Sequence, residues 1–153
     1  MLASTLTHYL EEHHVPYRTI PHARTYTAQE TAASAHVSGR ELAKTVIVKL
    51  DGRLLMVVLP AHYHIDLHAL CRVTGAYHAE LADEQEFKDR FPSCEVGAMP
   101  PFGNLFDMEV LVARSLSEDE EIAFNAGSHT ELIRMRFADF ENLVHPTILD
   151  IAI

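Results

Sequence analysis

The 153-residue chain is long enough for one domain that buries about two-thirds of its unfolded surface, and 48% apolar with 22% charged residues is ordinary for a globular protein. No apolar run reaches the roughly 18 residues of a membrane span, and the start MLASTLTHYLEEHH lacks the cationic region of a signal peptide. A net charge of −10 argues against a general nucleic-acid coat, but it is uneven: residues 1–72 carry +1 and residues 73–153 carry −11. An anionic partner would therefore approach the first half. Cys71 and Cys94 lie far apart and match no metal spacing, so they read as reduced thiols of a cytoplasmic protein.

Taken in chain order, residues 4–13 place Leu6, Tyr9, Leu10 and His13 on one helical face, with Ser4 or Thr5 as N-cap. VPYRTI, residues 15–20, favours a strand. TAQETAASAHVSG opens with Thr27 and Glu30 at capping-box spacing and closes at Gly39, which predicts a helix. Two β-rich runs then flank Asp51-Gly52, a hairpin signal, and the second, residues 54–59, is apolar throughout and suits a strand buried on both faces. Helices are predicted after Asp66 and Asp83. Residues 109–112 and 121–124 read as strands with acidic SEDEE in the turn between them. TELIRMRF reads as a strand and ADFENLV as a last short helix. There is no linker and no repeat, so residues 1–153 are expected to form a single domain. The fold class expected is α/β of the α+β kind, a mixed, largely antiparallel central sheet with surrounding helices.

Four stretches could carry chemistry. EVGAMPPFGNLF, residues 95–106, has two glycines, two adjacent prolines and no charge after Glu95. Val96, Ala98, Met99, Phe102, Leu105 and Phe106 leave little to solvate, so this loop should tuck against the core, where its backbone groups need partners. A bound ligand would supply them, whereas a plain helix-to-strand connector would not need one. Lys44 stands just before an apolar strand run. It is either a solvent-facing strand end or a cation placed for a phosphate, a carboxylate or an oxyanion. NAGSHTE, residues 125–131, marks a tight turn around Gly127. Adjacent Ser128 and His129 make poor triad geometry, and a plain hairpin turn is the simpler reading. His62, His64 and His68 have metal-compatible spacing, but eleven histidines make chance clusters expected and no HExxH arrangement is present. Cys94 has no activating neighbour in sequence and reads as a small buried residue.

Lys44-Thr45 leading into Val46-Ile47-Val48-Lys49, then Gly97-Ala98-Met99-Pro100-Pro101 continued by Phe102-Gly103, then Gly127-Ser128-His129 occur in that order. Together they resemble the YbaK/prolyl-tRNA synthetase-associated domain family over roughly residues 20–144. That family includes free-standing aminoacyl-tRNA deacylases and the editing domain inserted in bacterial prolyl-tRNA synthetases. The resemblance implies a mixed sheet with helices around it and hydrolysis of the ester joining an amino acid to the tRNA 3′ end, without cofactor or metal. Lys44, Gly97 and Pro101 would be the catalytic positions. Lys44 would steady the terminal phosphate or other charged groups. The loop with Ala98, Met99, Pro100, Phe102 and Gly103 would present backbone groups to the ester and ribose, and Gly127, Ser128 and His129 would line the amino-acid pocket. The partners implied are the acceptor end of an aminoacyl-tRNA and a synthetase, with no membrane. A non-catalytic module binding an aminoacyl-nucleotide or a protein on the same fold is the alternative.

Overall fold

The computed structural model describes residues 2–25, 27–92, 94–95 and 97–153, and the side chains of all of these but Leu2, Ala3, Ser4 and Gln29. Val96 of the bare loop and the Ser4 side chain therefore lie outside the described residues. Helix α1 (Leu2–Glu12) begins earlier than the Ser4/Thr5 signal implied, so Thr5 sits inside the helix. Strand β1 (Arg18–Pro21) is shorter than the VPYRTI run and lies at the sheet edge, where Pro21 costs no ladder bond. Helix α2 (Ala28–Ala35) has the expected capping box, with Thr27 and Glu30 each bonding the other's backbone N–H. It ends before Gly39, because His36 turns into the left-handed region and donates its N–H to the carbonyls of Ala32 and Ala33.

Strands β2 (Leu42–Leu50) and β3 (Arg53–Pro60) form the expected hairpin. Asp51 (φ 49°) and Gly52 (φ 85°) take the two left-handed positions that a two-residue turn of this hand requires. Helix α3 (Leu67–Thr74) is capped by Asp66, whose carboxylate accepts from Ala69 N. Strand β4 (Ala79–Leu81) comes next, then helix α4 (Glu84–Phe87) running into a single 3₁₀ turn. The second half holds β5 (Val110–Ala113), α5 (Arg114–Ser117), β6 (Glu121–Asn125), β7 (Glu131–Arg136), α6 (Phe137–Val144) and β8 (Thr147–Leu149).

All eight strands join one sheet in the order β1-β7-β6-β2-β3-β5-β8, with β4 paired to the far end of β2. The β1–β7, β6–β7, β2–β3 and β2–β4 pairs are antiparallel. The β2–β6, β3–β5 and β5–β8 pairs are parallel. This is the mixed sheet expected, with one correction. The acidic stretch 117–121 does not close a β5–β6 hairpin, because β2 and β3 lie between those strands and α5 begins the crossover. The two short strands β4 and β8 were not predicted. Strand β3 is central as expected, with residues 55–59 at most 1% exposed.

Alternation along the strands gives the sheet two packed faces. Ala43, Ile47, Met56, Val58, Val110, Val112, Phe124 and Ile133 meet α1 and α6 through Leu6, Leu10 and Phe140. On the opposite face, Leu55, Val57, Leu59 and Leu111 pack with Leu70 of α3, and Leu42, Ala123 and Leu132 pack with the alanines of α2. Among the described residues no helix is long and apolar enough to cross a membrane.

Candidate active site

The bare loop is tucked in, as its composition requires. Ala98, Met99, Pro100, Pro101, Phe102 and Gly103 are all buried, while Gly97 is exposed. Phe102 reaches the centre of the core, 5.4 Å from the Phe140 ring in an edge-on contact and 5.6 Å from Phe124. Gly103 has no room for a side chain, since an ideal Cβ would stand 2.3 Å from the carbonyl oxygen of Met108. That close approach lets Gly103 O accept from the N–H groups of Phe106 and Met108, both at 2.9 Å. The side chains of Met99 and Phe102 thus join the α1/α6 side of the core. The loop is exposed at Gly97 and again at Asn104.

The Gly97 end is bonded to the β6–β7 turn. Glu95 N donates to Gly127 O, Gly127 N donates to Ala98 O, and both distances are 2.9 Å. Gly97 (φ 85°) and Gly127 (φ 100°) both take conformations that disfavour side chains. The Gly97 N–H points at Met99 Sδ, 3.3 Å away, a weak acceptor. An ideal Cβ on Gly97 would lie 3.5 Å from Cε1 of His129, so the ring flanks the glycine. His129 is 7% exposed. Ser128 is half-buried, and its hydroxyl pairs with Thr130 Oγ1 at 3.2 Å.

Glu95 ties this assembly down. One carboxylate oxygen accepts from the His129 backbone N–H, and the other from Arg24 Nη2 at 2.9 Å. The Arg24 guanidinium, with the His129 N–H, holds the Glu95 carboxyl below the usual carboxylate range. Thr25 N also donates to His129 O at 3.3 Å. Arg24 and Glu95 were not singled out in the sequence. They lie 71 residues apart, and no local pattern links them.

Lys44 sits on β2 one step beyond the two pairs that join β2 to β6 in parallel, Leu42 with Ala123 and Ala43 with Phe124. It therefore starts at the sheet end where the 125–131 turn emerges. Its cross-strand partner Leu59 belongs to the face opposite Phe102, so Lys44 shares the α2/α3 side of the sheet. Its Nζ donates to Ala61 O at 3.4 Å, and burial lowers its pKa. The structure joins the Gly97 end to the 127–129 turn, while the Lys44 ammonium bonds Ala61 O.

The remaining candidates separate. The His62 ring lies against Gly39, His64 exchanges backbone hydrogen bonds with Ile153, and His68 is exposed on α3. Among the described residues no group of three or more His, Cys, Asp or Glu is placed to hold a metal ion. Burial pushes the Cys94 thiol up to about 12. A cleft of about 460 Å³ lined by Glu41, Asp119, Glu121 and Arg134 lies elsewhere; Arg134 reaches Glu121 at 2.9 Å and also pairs with Glu41, while the buried Asp119 Oδ2 has no hydrogen-bond partner among the described residues. Volume and candidate chemistry point to different places, and in that cleft the ion pairs give Arg134 a structural role.

Residues 22–143 match the family model of the aminoacyl-tRNA editing domain. The multifunctional Ser/Thr-tRNA deacylase ProXp-y of Escherichia coli (strain K12) is 29% identical over 113 residues, covering 71% of this chain and 67% of that protein. The proline–tRNA ligase of Bacillus mycoides (strain KBAB4) is 26% identical over 89 residues, 58% of this chain but only 16% of the ligase. The crystal structure of a candidate trans-editing enzyme for prolyl-tRNA synthetase superposes with a TM-score of 0.82 at 19% identity, covering 97% of this chain and 95% of that one. The family match spans Lys44, the 95–106 loop and the 125–131 turn, and the chain belongs to the aminoacyl-tRNA editing domain family.

Proposed function

We propose that residues 1–153 act as one domain, a trans-editing aminoacyl-tRNA deacylase that hydrolyses the ester of mischarged tRNA in the cytoplasm. The observation that carries this reading is the bonded junction of the Gly97 end with the Gly127–His129 turn, inside the matched editing domain. The ester carbonyl would lie against the exposed Gly97, whose N–H is held by a weak thioether acceptor, and that donor would stabilise the oxyanion as it develops. The buried prolines Pro100 and Pro101 fix the backbone that aims this N–H. Lys44 would hold a phosphate or carboxylate of the acceptor end from the α2/α3 side. His129, Ser128 and the Gly127 backbone would border the aminoacyl group.

The step needs no protein nucleophile. Water oxygen bonds to the carbonyl carbon, and the bond from that carbon to the ribose oxygen breaks. The ribose oxygen takes one water proton, and the amino acid leaves as its carboxylate, releasing the other. Positioning and oxyanion stabilisation suffice because an aminoacyl ester is already activated. A thiol titrating near 12 would be a poor nucleophile here. A synthetase that makes the corresponding error is the natural partner, as the names of the relatives suggest. The test is a panel of tRNAs mischarged with small amino acids. Hydrolysis of at least one well above the buffer rate is expected, and none above it would remove the proposal.

A further inference from the structure

Asn125 closes β6 immediately before the turn. Its side-chain oxygen is buried and has no hydrogen-bond partner among the described residues. A buried acceptor left unmatched is unfavourable, and such groups are rare in folded proteins. Two of its neighbours cannot satisfy it. Its cross-strand partner is Leu132, and Ala123 precedes it on the same face of β6; both are apolar and fully buried. That face also carries Lys44. Lys44 and Asn125 each follow directly on the last β2–β6 pair, Ala43 with Phe124. The Lys44 ammonium donates instead to Ala61 O.

We infer that Asn125 is a specificity-determining residue whose side-chain oxygen accepts a hydrogen bond from a hydroxyl on the aminoacyl side chain. This rests on the deacylase reading above. A donor from outside the protein fits, because Leu132 and Ala123 offer none and the Lys44 ammonium already donates to Ala61 O. That donor should also be neutral. The α-ammonium common to every substrate would stand near the Lys44 cation and be repelled, whereas a hydroxyl would not. A site built around a hydroxyl discriminates against the analogue that lacks it, because the protein acceptor is then left unpaired.

The experiment compares kcat/KM on seryl-, threonyl- and alanyl-tRNA for the wild type, N125L and N125D. The wild type should favour seryl over alanyl esters by about 10- to 100-fold. N125L should bring that ratio close to one, and N125D, which keeps an acceptor, should preserve most of it. An unchanged ratio in N125L, or equal losses on all three esters, would overturn the inference; equal losses would instead mark Asn125 as a partner of Lys44 or of the fold. If N125L does not fold, N125A takes its place. If the wild type hydrolyses none of the esters, the deacylase reading fails separately. Binding of non-hydrolysable seryl- and alanyl-amide adenosines then decides, and equal affinity for the two would reject the role given to Asn125.

Discussion

Gly127 donates its backbone N–H to the carbonyl of Ala98 at 2.9 Å, and through that bond the proline-rich loop and the β6–β7 turn become one surface. The bonded residues lie 29 positions apart in the chain. Backbone groups do the joining, and the Glu95 carboxylate reinforces it by bonding the His129 N–H. The surface can therefore be perturbed either through its glycines or through its clamp.

Gly97 and Gly103 should respond differently to alanine. A Cβ on Gly97 meets His129 at 3.5 Å, an ordinary contact, so the cost of Gly97→Ala comes from its φ of 85° and should be about 1–2 kcal/mol. A Cβ on Gly103 meets a backbone carbonyl at 2.3 Å, so the chain must shift and Gly103→Ala should cost about 3 kcal/mol or prevent folding. Thermal unfolding of the two variants checks the order. Gly97→Ala should also lower deacylation about tenfold or more, because the added methyl sits where the ester would approach. Equal stability of the two variants would contradict the stated geometry.

Glu95 predicts an acid-sensitive contribution to stability. Its folded pKa is depressed, first by Arg24 and then by the His129 N–H. The stabilisation is therefore present above the unfolded carboxylate value of about 4.3 and is lost as pH falls through it towards the lower folded value. Wild type and Glu95→Gln should differ most at neutral pH and converge as pH falls below the unfolded value of about 4.3. The side chain is 36% exposed, so the difference should be modest, below about 1 kcal/mol. Melting curves across pH 3–7 measure it, and a gap that widens in acid would reverse the assigned sign.

Much of this was legible in the sequence because the signals were local. The Thr27/Glu30 capping box, the Asp51-Gly52 turn and the apolar run of β3 each fix their element from neighbouring residues. The order of strands was not legible. The acidic stretch 117–121 reads as a turn, and only the parallel β2–β6 and β3–β5 pairings show that it leads into a crossover. Short β4 and β8 carry too few residues to show a period. In the candidate site, the burial of the bare loop followed from its composition. The Arg24–Glu95 clamp and the orphaned oxygen of Asn125 did not, because each depends on partners distant in sequence.

Cys94 should be dispensable to chemistry. Its thiol is half-buried against the core, and burial pushes its pKa up to about 12. Such a thiol stays protonated at pH 8, so alkylation by iodoacetamide should be slow. Cys94→Ala should retain deacylation within about twofold and lose about 1 kcal/mol of stability from the emptied packing. Mass spectrometry of alkylation and a deacylation assay test both parts. Rapid modification that abolishes activity would reinstate the thiol as a nucleophile.

Lys44 is the side chain on which the electrostatic part of the proposal depends. Among the described residues it forms no ion pair, and it donates only a long 3.4 Å bond to Ala61 O. Burial lowers its pKa, so its charge is held at a cost that an anionic ligand would offset. Lys44→Ala removes no ion pair and should leave the melting temperature within a few degrees of wild type. It should still lower kcat/KM on mischarged tRNA by about 10- to 100-fold, with a smaller dependence on salt than the wild type shows. Lys44→Arg keeps the charge but not the length, and should recover binding better than turnover. If Lys44→Ala melts early and loses activity only in proportion, the lysine is a strand-end packing residue and the anion contact is excluded.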